Sequence, residues 1–300
     1  MMHMLNERTI VFSSHGVPLV GTFIRNNDSL SVRQPCVVIT GSWLNVKEQM
    51  ASVYARALAE RGFTAFVFDF AGWGESQGEL RHLESPVQKA RDMAAAVELV
   101  STMSFVGPKI GYLGVCASAQ YALRAMAWGA RISAFVSVAG WFHDSTSVAP
   151  FYGGPEGVAR RLAWAEEALG EYRKTGKLRK VRAYAPGDER AGMSFEMDYY
   201  GNQARGAVPA WSNEMAELSW LHWLAFDGLS AANAVTAPTL LVHSDGCALP
   251  DNAKAVHARL AGPKELAWFK KGTQTDYYDQ PEYVQAATER AASWFRDTLG

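Results

Sequence analysis

The stretch KIGYLGVCASAQ, residues 109–120, decides the fold of this chain. Its apolar run over residues 110–115 has the length and β-branched content of a buried strand, and small residues that open a helix follow directly. Cys116 therefore lies at a sharp corner between strand and helix, where neighbours such as Gly114 and Ala117 must be small. Because the amide groups of the next helix point to this corner, we expect the Cys116 thiolate to be favoured there.

Two interpretations of this cysteine compete. A cysteine at the end of a core strand can be a packing residue, because cysteine is among the most buried residue types. The pattern Gly114-x-Cys116-x-Ser118 favours a nucleophile instead, since it is a nucleophile-elbow pattern with one change at its last glycine. Ser118 is the competing nucleophile, but it lies two residues into the helix, where its side chain would point away from the corner. We therefore predict that Cys116 is the nucleophile.

The overall composition favours a small-molecule partner. The 300 residues include 29 basic and 30 acidic side chains, so the chain has no global field that would attract nucleic acid or a membrane. Aromatic residues make up 12% of the chain and include ten tryptophans, which indicates a pocket for an apolar or aromatic compound. Composition leaves the oligomeric state open, a homodimer included.

The cysteines and the amino terminus predict the cellular compartment. Cys36, Cys116 and Cys247 are an odd, widely spaced set without a CxxC pair, which argues against a disulfide framework and a structural zinc site. The amino terminus lacks the apolar core of a signal sequence, and no later apolar run reaches membrane-spanning length. The glycine-rich loop at residues 69–76 lacks the Gly-Lys-Ser of a phosphate cradle. We expect a soluble cytoplasmic protein without a metal or other cofactor.

Strands and helices alternate along most of the chain. Short apolar runs typical of buried strands are separated by segments of helical periodicity, and this rhythm predicts an α/β fold with a mostly parallel sheet flanked by helices. Strands are predicted over residues 8–13, 17–25, 36–40, 64–68, 110–115, 132–138, 239–243 and 265–269. Helices are predicted after the elbow and over residues 46–61, 84–103, 251–261 and 281–299.

The alternation of strands and helices ends near residue 140. The sequence that follows shows no buried strand and is helical and rich in tryptophan. We interpret residues 141–234 as a helical cap that is inserted after the sixth strand and covers the carboxyl edge of the sheet. Residues 1–140 and 235–300 then form the core domain.

Four motifs give the chain a family likeness. They are Gly41-Ser42-Trp43 with Val46-Lys47-Glu48-Gln49-Met50 behind it, the loop from Asp69 to Ser76, the elbow around Cys116, and the segment from Gly272 to Pro281. With these motifs the chain resembles an α/β-hydrolase over essentially its whole length. It is most similar to a bacterial, dienelactone-hydrolase-like subgroup in which cysteine can replace the nucleophilic serine. The resemblance implies the fold and says little about the substrate.

The resemblance also implies roles for single residues. Cys116 resembles the nucleophile of the family. The backbone N–H groups of Ala117 and Trp43 resemble its oxyanion hole, which needs two donors from separate loops that converge on one oxygen.

Two positions depart from the family pattern. Gln274 stands where the family usually places its catalytic histidine. The family's acid would lie near Asp245, although by its spacing to Pro250 the usual position is that of Cys247. A cysteine tolerates the loss of the histidine because it is partly ionised near neutral pH, but the leaving group then lacks an acid. We therefore expect substrates with good leaving groups, such as thioesters, aryl esters or unsaturated lactones.

Other residues could replace the missing base or contact the substrate. His143 is the strongest candidate base, since it follows a strand end at the same edge as the elbow and the adjacent Asp144 could orient its ring. Trp141 is predicted to contact the substrate. Tyr277 is a second predicted contact, with a phenolic proton that it could donate.

Three hypotheses of function stay open. The leading one is a cysteine-dependent hydrolase or acyl-transfer enzyme for a small activated carbonyl compound, in which Cys116 attacks and Gln274 orients water or substrate. The second is a lyase, cyclase or isomerase that uses the same oxyanion hole to stabilise an enolate. The third is a ligand-binding protein that kept the fold after it lost the catalytic histidine.

Overall fold

The computed structural model describes residues 5–300, and ten strands lie in that range. They are β1 (Asn6–Ser14), β2 (Val17–Arg25), β3 (Gln34–Thr40), β4 (Thr64–Phe68), β5 (Val106–Val115), β6 (Ala134–Val138), β7 (Lys180–Arg182), β8 (Glu214–Ala216), β9 (Thr239–Gly246) and β10 (Lys264–Thr273).

Eight of these strands form one mixed sheet in the order β1-β2-β4-β3-β5-β6-β9-β10. β1 pairs with β2 and β2 with β4 in antiparallel fashion, whereas the remaining neighbours are parallel. All five residues of β4 and of β6 are buried, because strands at the centre of a parallel sheet are covered on both faces. The predicted α/β architecture is thereby confirmed.

Helices connect the parallel strands and cover the sheet. They are α1 (Met50–Glu60), α2 (Pro86–Ser101), α3 (Ala117–Ala127), α4 (Gly154–Thr175), α5 (Asp198–Gly201), α6 (Ser219–Trp223), α7 (Pro250–Arg259), α8 (Asp276–Asp279) and α9 (Pro281–Leu299). α1 packs against α9, and α2 packs against α3. The buried residues of α9 recur every three or four positions, which is the pattern of a helix with one apolar face. None of the helices within residues 5–300 is long and apolar enough to cross a membrane.

Several element boundaries differ from the sequence prediction, and two elements begin four residues away from the predicted start. β5 begins at Val106 rather than at residue 110, because its main chain continues to pair with β3 beyond the buried apolar run. α1 begins at Met50 rather than at residue 46. The side-chain carbonyl of Gln49 accepts a hydrogen bond from the Val46 amide over 3.1 Å, so the residues before Met50 form turns instead of helix.

The segment between β6 and β9 combines helices with a small sheet. It contains the long helix α4 and the short helices α5 and α6, but β7 and β8 also form an antiparallel pair that the sequence does not predict. Strands of three residues are too short to show alternation. Trp211 of this segment donates to the Leu44 carbonyl over 2.6 Å, and Gln49 donates to the Gly206 carbonyl over 2.6 Å. The segment therefore covers the loop after β3, whereas its division as a separate cap over residues 141–234 stays a prediction.

Candidate active site

Cys116 occupies the corner between β5 and α3. Its φ of 56° and ψ of −125° lie outside the regions that L residues prefer, and it is the residue before the first turn of α3. Its carbonyl accepts hydrogen bonds from the amides of Ala119 and Trp141, so the neighbouring chain fixes the strained corner. A side chain at Gly114 would approach the main chain of Ala119 to 3.0 Å, which explains the glycine there.

A cavity of about 430 Å³ lies over this corner. Apolar and aromatic side chains dominate its wall, and four of the residues that the sequence singles out line it: Trp43, Cys116, Trp141 and Gln274. A larger cavity of about 670 Å³ lies elsewhere, between the β1–β2 turn and the loop that follows β4, and none of the predicted site residues lines it. The smaller cavity is therefore the candidate active site.

The Cys116 sulfur lies at the bottom of this cavity, where it is nearly sealed from water. The residue is 3% exposed, and burial raises the pKa of its thiol. The Ser42 hydroxyl donates to Sγ over 3.3 Å, and the side chains of Tyr278 and Gln274 also lie close enough to oppose that rise. The expectation of a thiolate favoured by the helix amides is thus corrected, because desolvation is the largest effect on this thiol.

Gln274 is held in the wall of the cavity by three hydrogen bonds. Its side-chain amide donates to the Ala139 carbonyl over 2.8 Å and to the Tyr278 hydroxyl over 3.2 Å, while its carbonyl oxygen accepts from the Ala248 amide over 2.9 Å. Because the Tyr278 oxygen accepts a hydrogen bond from Gln274, the hydroxyl proton of Tyr278 can point towards the Cys116 sulfur. Gln274 therefore orients Tyr278 rather than acting as a base.

Two backbone amides near Cys116 have no main-chain acceptor within residues 5–300. Ala117 is the first residue of α3, and the amides of a first helical turn have no intrahelical acceptor. The Trp43 amide, in the loop after β3, has no hydrogen-bond acceptor anywhere in residues 5–300. They are the two donors that the family resemblance implies for an oxyanion hole, and that role stays a prediction.

Buried carboxylates hold the loop that carries Trp43. Leu44 has a φ of 53°, and its amide donates to Glu84 over 2.9 Å. Asp69 accepts from both the amide and the ammonium group of Lys47, over 2.8 and 2.7 Å. The loop from Asp69 to Ser76 thus fastens the candidate oxyanion loop to the sheet.

The structure does not bring His143 to the cavity. The ring is fully buried, and its Nδ1 accepts from the Trp141 indole over 2.8 Å while Nε2 faces the Trp223 carbonyl at 2.9 Å. Burial lowers the pKa of His143 to about 4. The prediction that His143 replaces the missing base is therefore wrong, because both of its ring nitrogens face hydrogen-bond partners inside the core. Asp144 instead caps its own turn through Ser147.

Asp245 and Tyr277 also lie away from the cavity. β9 extends to Gly246, so Asp245 is still in the strand; its side chain is 79% exposed and lies 3.6 Å from Lys254. The Tyr277 hydroxyl donates to the Lys271 carbonyl over 3.0 Å, whereas the next residue, Tyr278, lines the cavity. Both expectations were wrong, because the side chains of Asp245 and Tyr277 point away from the cavity.

Among the cavity residues that the sequence analysis does not assign to the site are Ser42, Tyr200 and Tyr278. Tyr278 follows Gln274 by four residues, a spacing that brings side chains together on a helical turn and could have indicated the contact. Tyr200 lies in the short helix α5, which shows no periodicity. Cys247 lines the cavity too, and burial raises its pKa to about 11.

Comparison with known proteins shows relatives over the full length of the chain. No family model matches the sequence. The protein PA2218 from Pseudomonas aeruginosa is 28% identical over 308 residues, which cover 98% of this chain and 81% of PA2218. Polyketide transferase claH from Penicillium crustosum is 31% identical over 124 residues, 41% of this chain and 40% of claH.

Solved structures match the fold. The crystal structure of PA2218 has a TM-score of 0.84 at 26% identity and covers 98% of this chain and 94% of that chain. The α/β hydrolase GrgF from a Penicillium species has a TM-score of 0.82 at 19% identity, with 98% and 99% covered. Dienelactone hydrolase from Anabaena variabilis has a TM-score of 0.61 at 16% identity, with 99% and 100% covered. The chain therefore has the α/β-hydrolase fold.

Proposed function

We propose that this protein is a cysteine-dependent acyl-transfer enzyme that acts on a small activated carbonyl compound, such as a thioester, a lactone or an aryl ester. The observation that carries the proposal is Cys116 on the β5–α3 corner, with its sulfur at the bottom of an aromatic cavity. A thiol at such a corner can attack a carbonyl carbon, and amides of Ala117 and Trp43 can bind the oxygen that becomes negative.

The first half of the reaction moves the acyl group to Cys116. A bond forms between Sγ and the carbonyl carbon, and the bond from that carbon to the leaving sulfur or oxygen then breaks. The proton of the thiol ends on the leaving atom. Hydrogen bonding from Ser42 and Tyr278 favours the charged form of the sulfur, so both hydroxyls stabilise it while it loses the proton.

Gln274 favours transfer of the acyl group to an acceptor other than water. Water needs a general base to attack an acyl-enzyme, and a carboxamide cannot take up the proton. An amine or a thiol is a stronger nucleophile and depends less on such a base. The resemblance of part of the chain to a protein named polyketide transferase supports this class of reaction.

The wall of the cavity favours an apolar or aromatic acyl group. Its large apolar side chains are Trp43, Trp141, Phe151, Met193, Phe195 and Met197. Such surfaces gain free energy when they are covered by an apolar ligand. No lysine or arginine side chain is among the cavity-lining part of residues 5–300, so a substrate that is anionic near its carbonyl group would find no counter-charge.

The proposal is tested by mass spectrometry of the protein after incubation with the S-phenyl thioester of phenylacetic acid. We expect one phenylacetyl group on the peptide that contains Cys116, and faster release of that group to an added amine than to water. The variant Cys247→Ala is the matched control, since it removes the other thiol of the same cavity. A wild-type protein without an adduct would contradict the proposal and favour a binding protein. A product of the same mass as its substrate would favour an isomerase.

A histidine at position 274 is expected to restore hydrolysis. In Gln274→His the imidazole could activate water for attack on the acyl-enzyme, so the share of acyl group lost to water should rise by on the order of tenfold. That is less than the usual ~10²–10⁴ of a general base, because Asp245 points outwards and cannot orient the ring. Gln274→Asn, which keeps the amide, is the control. An unchanged product ratio in Gln274→His would mean that residue 274 does not face the acceptor.

A further inference from the structure

One hydroxyl of a cavity-lining residue lacks a well-formed hydrogen bond. The hydroxyl of Tyr200 is buried from solvent and makes no hydrogen bond of ordinary length and angle within residues 5–300, although the Ser42 and Tyr278 hydroxyls lie nearby. Several other buried polar atoms are unpaired as well, but within residues 5–300 Tyr200 is the only residue among them that lines the cavity over Cys116. Buried hydroxyls in native proteins are nearly always paired, so this one points to a partner that arrives with the ligand.

The surroundings of Tyr200 connect it to the thiol. Its ring packs against Trp211 at 5.4 Å and lies 6.4 Å from the ring of Tyr278, which fixes its direction. Ser42 and Tyr278 are the two hydroxyl neighbours, close enough to favour its phenolate form, and Ser42 in turn donates to Sγ over 3.3 Å. We call Ser42, Tyr200 and Tyr278 the hydroxyl cluster. All three residues line the cavity over Cys116.

We propose that Tyr200 is a catalytic residue that donates a proton to the leaving atom while Cys116 takes the acyl group. This inference rests on the proposed function and assigns the acid that the family's histidine would otherwise supply. The hydroxyl cluster carries a proton from the Cys116 thiol to the leaving atom. The Ser42 hydroxyl turns from Sγ towards Tyr200 and accepts the proton of the Cys116 thiol as it gives its own to Tyr200. Tyr200 gives its proton to the leaving thiolate or alkoxide, so both hydroxyls end protonated as they began.

Such a donor completes the proton transfer that an alkyl leaving group needs. Gln274 has no acidic proton, and His143 lies outside the cavity. Burial raises the pKa of Tyr200 well above its usual value, so the phenol carries its proton at neutral pH. With this donor the enzyme accepts alkyl thioesters and alkyl esters, whose leaving groups need protonation, and is not restricted to aryl substrates.

The test compares two thioesters of phenylacetic acid that differ in the leaving group only. One leaves as an alkyl thiolate, which needs a proton, and the other as a nitrothiophenolate, which does not. In Tyr200→Phe we expect the single-turnover acylation rate to fall by about 10²-fold for the alkyl thioester and by less than about twofold for the nitrophenyl thioester. The loss should appear in the rate at saturation rather than in KM.

Matched measurements separate this inference from the proposed function. Tyr184→Phe is the control, since Tyr184 packs beside Tyr200 at 6.0 Å but its hydroxyl accepts from the Met197 amide over 3.1 Å. The melting temperature of Tyr200→Phe should not fall, because the substitution removes an unpaired hydroxyl and keeps the ring. An equal loss for both thioesters, or no loss for the alkyl thioester, would overturn the role of Tyr200. A failure of the proposed function would instead appear as a wild-type protein that forms no acyl adduct at all.

Discussion

Replacement of Cys116 by alanine is expected to abolish acyl transfer, with kcat lower by about 10³-fold or more. Without Sγ no covalent intermediate can form, and the amides of Ala117 and Trp43 could then only polarise the carbonyl group for direct attack by the acceptor. The measurement is release of thiol from the S-phenyl thioester, followed in the presence of an amine. Although Cys116 is 3% exposed, Cys116→Ala removes a single heavy atom, so it should cost only about 1 kcal/mol of stability and the variant should fold.

Cys116→Ser gives the sharper control. Serine keeps the size and the corner, but its hydroxyl ionises far less readily than a thiol and needs a base that Gln274 cannot supply. We therefore expect Cys116→Ser to be nearly as inactive as Cys116→Ala. Substantial activity in the serine variant would show that an unrecognised base operates in the cavity. Full activity of the alanine variant would remove Cys116 from the mechanism.

The fold was predictable because its signals are local. The apolar run over residues 110–115 and the small residues after it identify the central strand and the corner before any long-range contact is known. The same holds for β4, whose five residues are all buried. Local patterns could not predict two features. These are the main-chain pairing that extends β5 to Val106 and the three-residue strands β7 and β8, because neither depends on side-chain periodicity.

The site was predictable where the main chain fixes it. Trp43, Cys116 and Gln274 follow directly from strand ends, and all three line one cavity. His143 also follows a strand end, but its ring turns into the core to pair with Trp141 and Trp223. The direction in which a side chain points depends on packing partners that are distant in sequence. The position of Tyr200 could not be predicted for the same reason. It depends on how the residues between β6 and β9 cross the loop after β3.

Replacement of Lys89 by methionine is expected to lower the free energy of unfolding by about 3–5 kcal/mol. Lys89 is 2% exposed and Glu84 is fully buried, and their charged atoms lie 2.7 Å apart. Burial lowers the pKa of Lys89, while Glu84 opposes that shift. In Lys89→Met the Glu84 carboxylate would keep its hydrogen bonds from Leu44 and Tyr121 but lose its cation, which leaves an unpaired charge in the core. Urea-induced unfolding measures the loss.

Two further variants show whether the pair itself is responsible. Lys180→Met removes a lysine that lies 2.9 Å from Glu214 but is about one third exposed, and it should cost less than about 1 kcal/mol. The double variant Lys89→Met/Glu84→Gln should recover most of the loss, because no bare charge remains buried. Glu84 also holds Leu44 beside the candidate oxyanion hole, so the double variant should regain stability while acyl transfer stays below wild type. Equal stability of Lys89→Met and Lys180→Met would contradict this account, since it would mean that the buried carboxylate does not need Lys89.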